Sequence, residues 1–288
     1  MSRLNEYEKE IEELEKRLRS EESIQLSPEL RNKIFEKTFS RIYERFGLEP
    51  REKPEVISSV ERARNRLKSI KRELKERRKD FEDAIKYYLE KCEGNPDKAI
   101  ERYYSVFTCN AKPIPDDFET DIKEIKELLY HGIGGIARFV GIGKAGTIFI
   151  SVCGGKDINE LRKELASEIG HLIVYLERGE DVSPSVDEFY DAVARSIIDP
   201  YPQNMIDKYA SLGEKSLNNE HLTDEDLDWF AKYDIERRGA LAHHEGLAIY
   251  KKLLKIFGDK LPEVAGKALR NPNIDFTNPI SFYRSVIR

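Results

Sequence analysis

The stretch Leu161 to Glu180, LRKELASEIGHLIVYLERGE, constrains this chain more than any other. Leu165, Ile169 and Leu172 recur at the three- and four-residue spacing of one helical face. Glu164, Ser167, Glu168 and His171 recur at the same spacing on another. Such a helix has to bury its apolar face in a core while holding a polar stripe at the edge of that core. Its flanks support the reading. GTIFISVCGG (Gly146 to Gly155) is a β-branched strand ending in a glycine turn, Asp157 offers an N-cap with Glu160 in the first turn, and Gly179 supplies a C′ glycine. Asp187 to Pro200 then forms a second helix, apolar along Phe189, Val193, Ile197 and Ile198, with acids in its first turn and proline at its end.

The centre of the stretch, Ser167-Glu168-Ile169-Gly170-His171, has the shape of the HExxH zinc motif with serine where the first histidine would stand. The spacing matters because residues four apart on a helix are neighbours. Two imidazoles there can hold one zinc ion while the glutamate between them acts as general base. Here Glu168 keeps the place of the base and His171 that of the second ligand. Ser167 offers only a neutral hydroxyl, a poor zinc ligand beside imidazole or carboxylate. The same Glu-x-x-His pair occurs in ferritin-like di-iron sites, but those require the motif on two helices and the sequence offers it once.

The strand IFIS, the helix ELASEIGHLIVYL and the following Asp191-Ala192-Val193-Ala194 segment closing in Ile-Ile-Asp-Pro resemble the ImmA/IrrE metallopeptidase family. Its motif helix reads like LAHELGHLL, and its next helix like E-A-N-x-F-A. The resemblance covers Gly132 to Pro200, about a quarter of the chain, and implies a zincin-like fold, a zinc cofactor and cleavage of regulatory proteins such as repressors. Carried over by position, Glu168 matches the family's base and His171 its second zinc histidine, whereas Ser167 departs from the first. The third ligand, an acid on the following helix, falls in register on Phe189, leaving Asp187, Glu188 and Asp191 as its neighbours. A catalytic zinc needs three protein ligands, so this ligand count leads to the expectation of weak or absent zinc. The implied function is a zincin-like protein that has lost full peptidase activity and acts by binding a macromolecular partner. The alternative is an active zinc metallopeptidase in which Glu164, His243 or His244 replaces the missing histidine.

The rest of the chain is expected to be helical. Leu4, Tyr7, Ile11, Leu14 and Leu18 form a two-heptad seam that needs a partner helix, either in the same chain or in a second copy. Ser27-Pro28 opens a helix with Leu30, Ile34, Phe35, Ile42 and Phe46 inward. A long helix is expected from Glu55 to Cys92 in the same heptad rhythm. Its basic run, Arg62 to Lys79, is interleaved with acids and lacks aromatic residues, which suits a solvated face better than a nucleic-acid surface. His131 to Gly155 is the strand region, with Gly143 to Gly146 as a hairpin turn; it lacks the spacing and Lys-Ser/Thr pair of a phosphate loop. Thr223, with Asp226 three residues on, opens a helix to Phe257 in which His243 and His244 point about 100° apart. The expected fold is α+β, predominantly α-helical: a helical, coiled-coil-like module over 1–130 and a zincin-like core with a small antiparallel sheet over 131–288.

With 36% charged residues and a net charge of −5, the chain has a balance that argues against a general nucleic-acid binder. The Lys/Glu-rich usage, with only two Met and one Trp, is of the thermophilic kind. No apolar run is long enough to span a membrane, and MSRLNEYEKE is too charged for a signal peptide, so a cytoplasmic protein is expected. Cys92, Cys109 and Cys153 lack CxxC spacing and are expected to be reduced core residues. Expected partners are a protein and, through the N-terminal helices, a second copy of the chain.

Overall fold

The computed structural model describes residues 2–22, 26–50, 53–107, 120–123, 125–126, 129, 139–142, 148–152, 157–179, 181–224, 226 and 240–288. Among them the chain is predominantly helical and divides into two compact units. The first combines Met1–Gln25 with Ser58–Ala137; the second combines Leu26–Ile57 with Arg138–Arg288. The division differs from a cut near residue 130, because Leu26–Ile57 belongs with the second unit.

In the first unit, helix α1 (Ser2–Glu22) packs on the 33-residue helix α3 (Ser59–Lys91). Ion pairs Glu8–Arg78 and Glu15–Lys71 fix an antiparallel pairing, since one number rises as the other falls. Ile11, Leu14 and Leu18 are buried, as are Val60, Ala63, Leu67, Ile70 and Leu74 of α3, so the seam of α1 is covered within one chain. The basic residues of α3 engage acids: besides those two pairs, Arg66 meets Asp121; beyond α3, Lys126 meets Glu10 of α1. Helix α3 ends in a turn through Glu93 (φ 56°) and Gly94 (φ 79°), which folds α4 (Pro96–Phe107) back so that Tyr103 meets Phe81 edge-on at 4.9 Å.

Helix α3 begins at Ser59 and not at Glu55, because Glu55–Ser58 is strand β1. Its β-branched pair Val56-Ile57 suits a strand edge, and the Ser58 hydroxyl accepts a hydrogen bond from the Glu61 N–H and so starts the helix one turn later than the heptads suggest.

The second unit holds α2 (Pro28–Phe46), β1, β2 (Phe139–Ile142), β3 (Ile148–Val152), α5 (Ile158–Arg178), α6 (Pro184–Ile198), α7 (Gln203–Leu217), α8 (Ala240–Phe257), α9 (Leu261–Arg270) and α10 (Pro279–Val286). The strands form one sheet in the order β1-β3-β2; β2 and β3 are antiparallel, with Phe139 opposite Ser151 and Ile142 opposite Ile148. The expected hairpin turn, Gly143 to Gly146, lies outside the described residues.

Ile150 and Val152 of β3 and Val56 of β1 enter one core with Leu161, Leu165 and Ile169 of α5 and Phe35, Phe39, Ile42 and Phe46 of α2. That shared core is why α2 belongs here. Leu30 of α2 lies 39% exposed, and Phe39 and Tyr43 are buried in its stead. In α8, Leu241 is likewise exposed, whereas Leu247, Tyr250 and Leu253 are buried. Thr223 and Asp226 exchange backbone and side-chain hydrogen bonds as a capping pair, but residues 227–239 lie outside the described set, so helix α8 is followed only from Ala240. The tail docks through Ile274, Phe276 and Phe282. Cys92 is a half-buried cap residue of α3 and not a core residue; Cys109 and Cys153 lie outside the described residues. No helix is long and apolar enough among the described residues to cross a membrane.

Candidate metal centre

Helices α5, α6 and α8 build the site because α6 packs on both of the others. The Asp157 carboxylate caps α5 by accepting from Asn159 and Glu160 N–H groups, and Pro184 stands in the first turn of α6. The crossing of α5 and α6 is set by Gly170. A Cβ there would lie 2.7 Å from the Tyr190 carbonyl oxygen and 2.8 Å from Asp191 Cα, so only glycine lets the backbone of α6 come so close beside His171. Gly246 does the same for α8: a Cβ would lie 2.7 Å from Glu188 Cβ. Asp187 and Glu188 are consecutive and diverge by about 100° around α6, so one faces α5 and the other α8, with Asp191 one turn further on.

His171, Glu188 and Asp191 converge: one potential ligand atom from each lies within 4.8 Å of the others. Tetrahedral zinc with bonds of about 2.0–2.1 Å separates its ligand atoms by roughly 3.3 Å, a closure of at most about 1.5 Å that side-chain rotation supplies. His171 Nδ1 lies 2.8 Å from Asp187 Oδ2. A carboxylate only accepts, so Nδ1 carries the proton, and Nε2 is the nitrogen left for a metal. His243 Nδ1 meets Glu188 Oε2 at 2.9 Å in the same way.

Asp191 is 4% exposed, and its Oδ1 is buried without a hydrogen-bond partner among the described residues. A buried carboxylate oxygen left so is costly. Glu168 and Glu164 of α5 are also buried. Burial works against a charged imidazole at His171, but the Asp187 hydrogen bond and the charges of Asp187, Asp191 and Glu168 outweigh it and hold its pKa well above the ordinary value. Three carboxylates thus act on the His171 imidazole, and a divalent cation is a species that such a set of donors suits. Both the oxygen-rich donor set and the unpartnered Asp191 oxygen fit a metal.

No family model matches the chain, and no curated protein or solved structure matches it. The site therefore stands on its own geometry. Of the residues singled out in the sequence, His171, Glu188 and Asp191 meet. Asp187 holds His171 through Nδ1 and is not a member of the converging group. Glu168 acts electrostatically on His171 from one turn away, and Glu164 is buried a further turn back, also outside that group. Ser167 is half-buried one turn before His171. His243 faces the site through Glu188, whereas His244 turns to the Tyr209 carbonyl and stacks on that ring at 5.3 Å.

Sequence reasoning missed Tyr201. Its phenol is buried under the Arg195 guanidinium, and burial first, then the charge of Asp191, pushes its pKa far up, so it remains a proton donor. The signal was weak, a tyrosine between two prolines just past α6. The structural use of Gly170 was also missed, although a glycine inside a helix costs about 1 kcal/mol against alanine and signals a packing reason.

Proposed function

We propose that this chain is a zincin-like, metal-dependent hydrolase acting on a protein substrate, with His171, Glu188 and Asp191 as metal ligands and Glu168 as general base. The observation that carries the reading is the convergence of three ligand groups that include a buried, unpartnered Asp191 oxygen. The ligand lost at Ser167 is made good by a second acid of α6, so the count of three that catalytic zinc requires is met. When bound, such an ion supplies Lewis-acid polarisation of a carbonyl group and acidification of water.

The chain's own residues do the rest. Asp187 fixes the ring of His171 and its tautomer. Glu168, buried one turn before His171, takes the role of the base that accepts a proton and returns it to a leaving amine. Tyr201, buried under the Arg195 guanidinium, keeps its phenolic proton. The order of strand, motif helix and acid-led helix supports an ImmA/IrrE-like ancestry, and with it a regulatory protein as substrate.

The test is metal binding followed by proteolysis. Metal-free protein is titrated with Zn²⁺ against a chromophoric chelator at neutral pH. One tightly held ion is expected for the wild type, with His171→Ala weakened by a factor of about 100. Ser167→His, which places a second imidazole one turn before His171, is expected to tighten zinc by tenfold or more, each tenfold being about 1.4 kcal/mol. Glu168→Gln should keep the ion and lose cleavage of an unfolded protein substrate. Absence of binding in the wild type overturns the reading. Binding without cleavage by the wild type returns the chain to the class of partner-binding proteins that keep the fold.

A further inference from the structure

His243 lies 72 residues beyond His171, on a different helix, yet it reaches the same centre. Its Nδ1 is 2.9 Å from Glu188 Oε2, and both side chains are about a quarter exposed. We infer that His243 is a positioning residue of the metal centre, orienting Glu188 for the ion as Asp187 orients His171. The inference rests on the metal-site reading above.

Glutamate has three rotatable side-chain bonds, so a partly exposed Glu188 loses more freedom than Asp191 when it is held at a ligand position. An imidazole N–H on one oxygen fixes the plane of the carboxylate and leaves its remaining lone pairs to face His171 and Asp191. Such outer hydrogen bonds are the usual means by which a protein aims its ligands.

The packing is specific to this contact. Gly246, one turn past His243, is the point where α8 comes against Glu188 and Phe189: an added Cβ would lie 2.7 Å from Glu188 Cβ and 2.8 Å from the Glu188 carbonyl carbon and Phe189 N. The next residue, His244, takes a separate place, buried with its Nδ1 on the Tyr209 carbonyl. Adjacent histidines thus divide between α6 and α7, and only His243 serves the centre. Around Asp191 stand two carboxylate–imidazole pairs with exchanged roles. In the first the imidazole is the ligand and the carboxylate aims it; in the second the carboxylate is the ligand and the imidazole aims it.

The test uses the full chain and Zn²⁺ in chelator competition, with Co²⁺ absorption as a report on ligand geometry. His243→Leu should weaken Zn²⁺ by about 10–100-fold. His243→Asn, which keeps an N–H close to the place of Nδ1, should recover most of that loss. The combination of His243→Leu with Glu188→Gln should bind no more weakly than Glu188→Gln alone, because His243 acts only through Glu188. The Co²⁺ spectrum of His243→Leu should change in band position as well as in affinity. Wild-type affinity and spectrum in His243→Leu would overturn the inference while leaving the metal centre intact; additive losses in the double variant would also overturn it. No ion in the wild type would remove the metal-site reading itself, and the two failures are therefore distinct.

Discussion

The two units are both rich in charge but handle it in opposite ways. In the first, acids and bases alternate along α1 and α3 and pair across the helices at the surface, as in Glu8–Arg78 and Glu15–Lys71. Water screens such pairs, and each is worth roughly 0.2–1 kcal/mol. In the second, Asp187 and Glu188 each meet an imidazole, that of His171 and that of His243, while Asp191 and Glu168 are almost fully buried and act on His171 by their charge. The difference shows that charge content does not reveal a site. What distinguishes one is charge withdrawn from water, as at Asp191, whose buried Oδ1 has no hydrogen-bond partner among the described residues.

The largest expected effect lies in the apolar seam of the first unit. Leu14 is 1% exposed, and Leu14→Ala should cost about 2–5 kcal/mol in urea unfolding followed by circular dichroism. Zinc affinity should be unchanged by that substitution; a coupled loss would break the division between the two units. In the second unit, Gly170→Ala should cost about 1–3 kcal/mol by overpacking against Tyr190 and Asp191, more than the roughly 1 kcal/mol that helix propensity returns. It should also weaken zinc, since Asp191 must move away from His171. A more stable Gly170→Ala protein with wild-type metal affinity would mean that the crossing of α5 and α6 is not set here.

Asp191→Asn sharpens the contrast further. In chelator it should raise stability by about 1 kcal/mol, because an unbalanced buried charge becomes a neutral amide, and it should abolish any zinc-induced rise in Tm. Thermal melts with and without Zn²⁺ check both halves. The smallest effect belongs to an ordinary half-buried pair at the surface. The Asp226 carboxylate is held at about 2, chiefly by the Lys215 ammonium and then by Thr223. A depressed carboxylate contributes stability above the unfolded value of about 3.9, and that contribution fades as pH falls towards about 2. Following the Asp226 carboxyl carbon by NMR should give a midpoint near the lower value; a midpoint near 4 would dissolve the pair.

Much of the helical scaffold was legible because its signals are local. Ser27 with Pro28 and Asp157 cap helices through side-chain oxygens that bond N–H groups two or three residues on. Gly47 and Gly179 end helices at positive φ. Those interactions are complete within one turn of chain. So is the alignment of Glu168 with His171, which needs only helical spacing.

Where an outcome depended on distant backbone, the sequence was silent or misleading. The heptads ran through Val56-Ile57, yet the sheet claimed those residues as β1. Leu26 to Ile57 followed the first helix in order but joined the core of the second unit, because the aromatic residues of α2 bury against α5. Spacing alone could not choose among Asp187, Glu188 and Asp191, or between His243 and His244. Those choices were made by how closely α6 approaches α5 at Gly170 and α8 at Gly246. By itself the sequence determined which residues are helical and which titratable groups line each face; the tertiary structure decided which of them meet, because convergence is set by interhelical distances that no local hydrogen bond encodes.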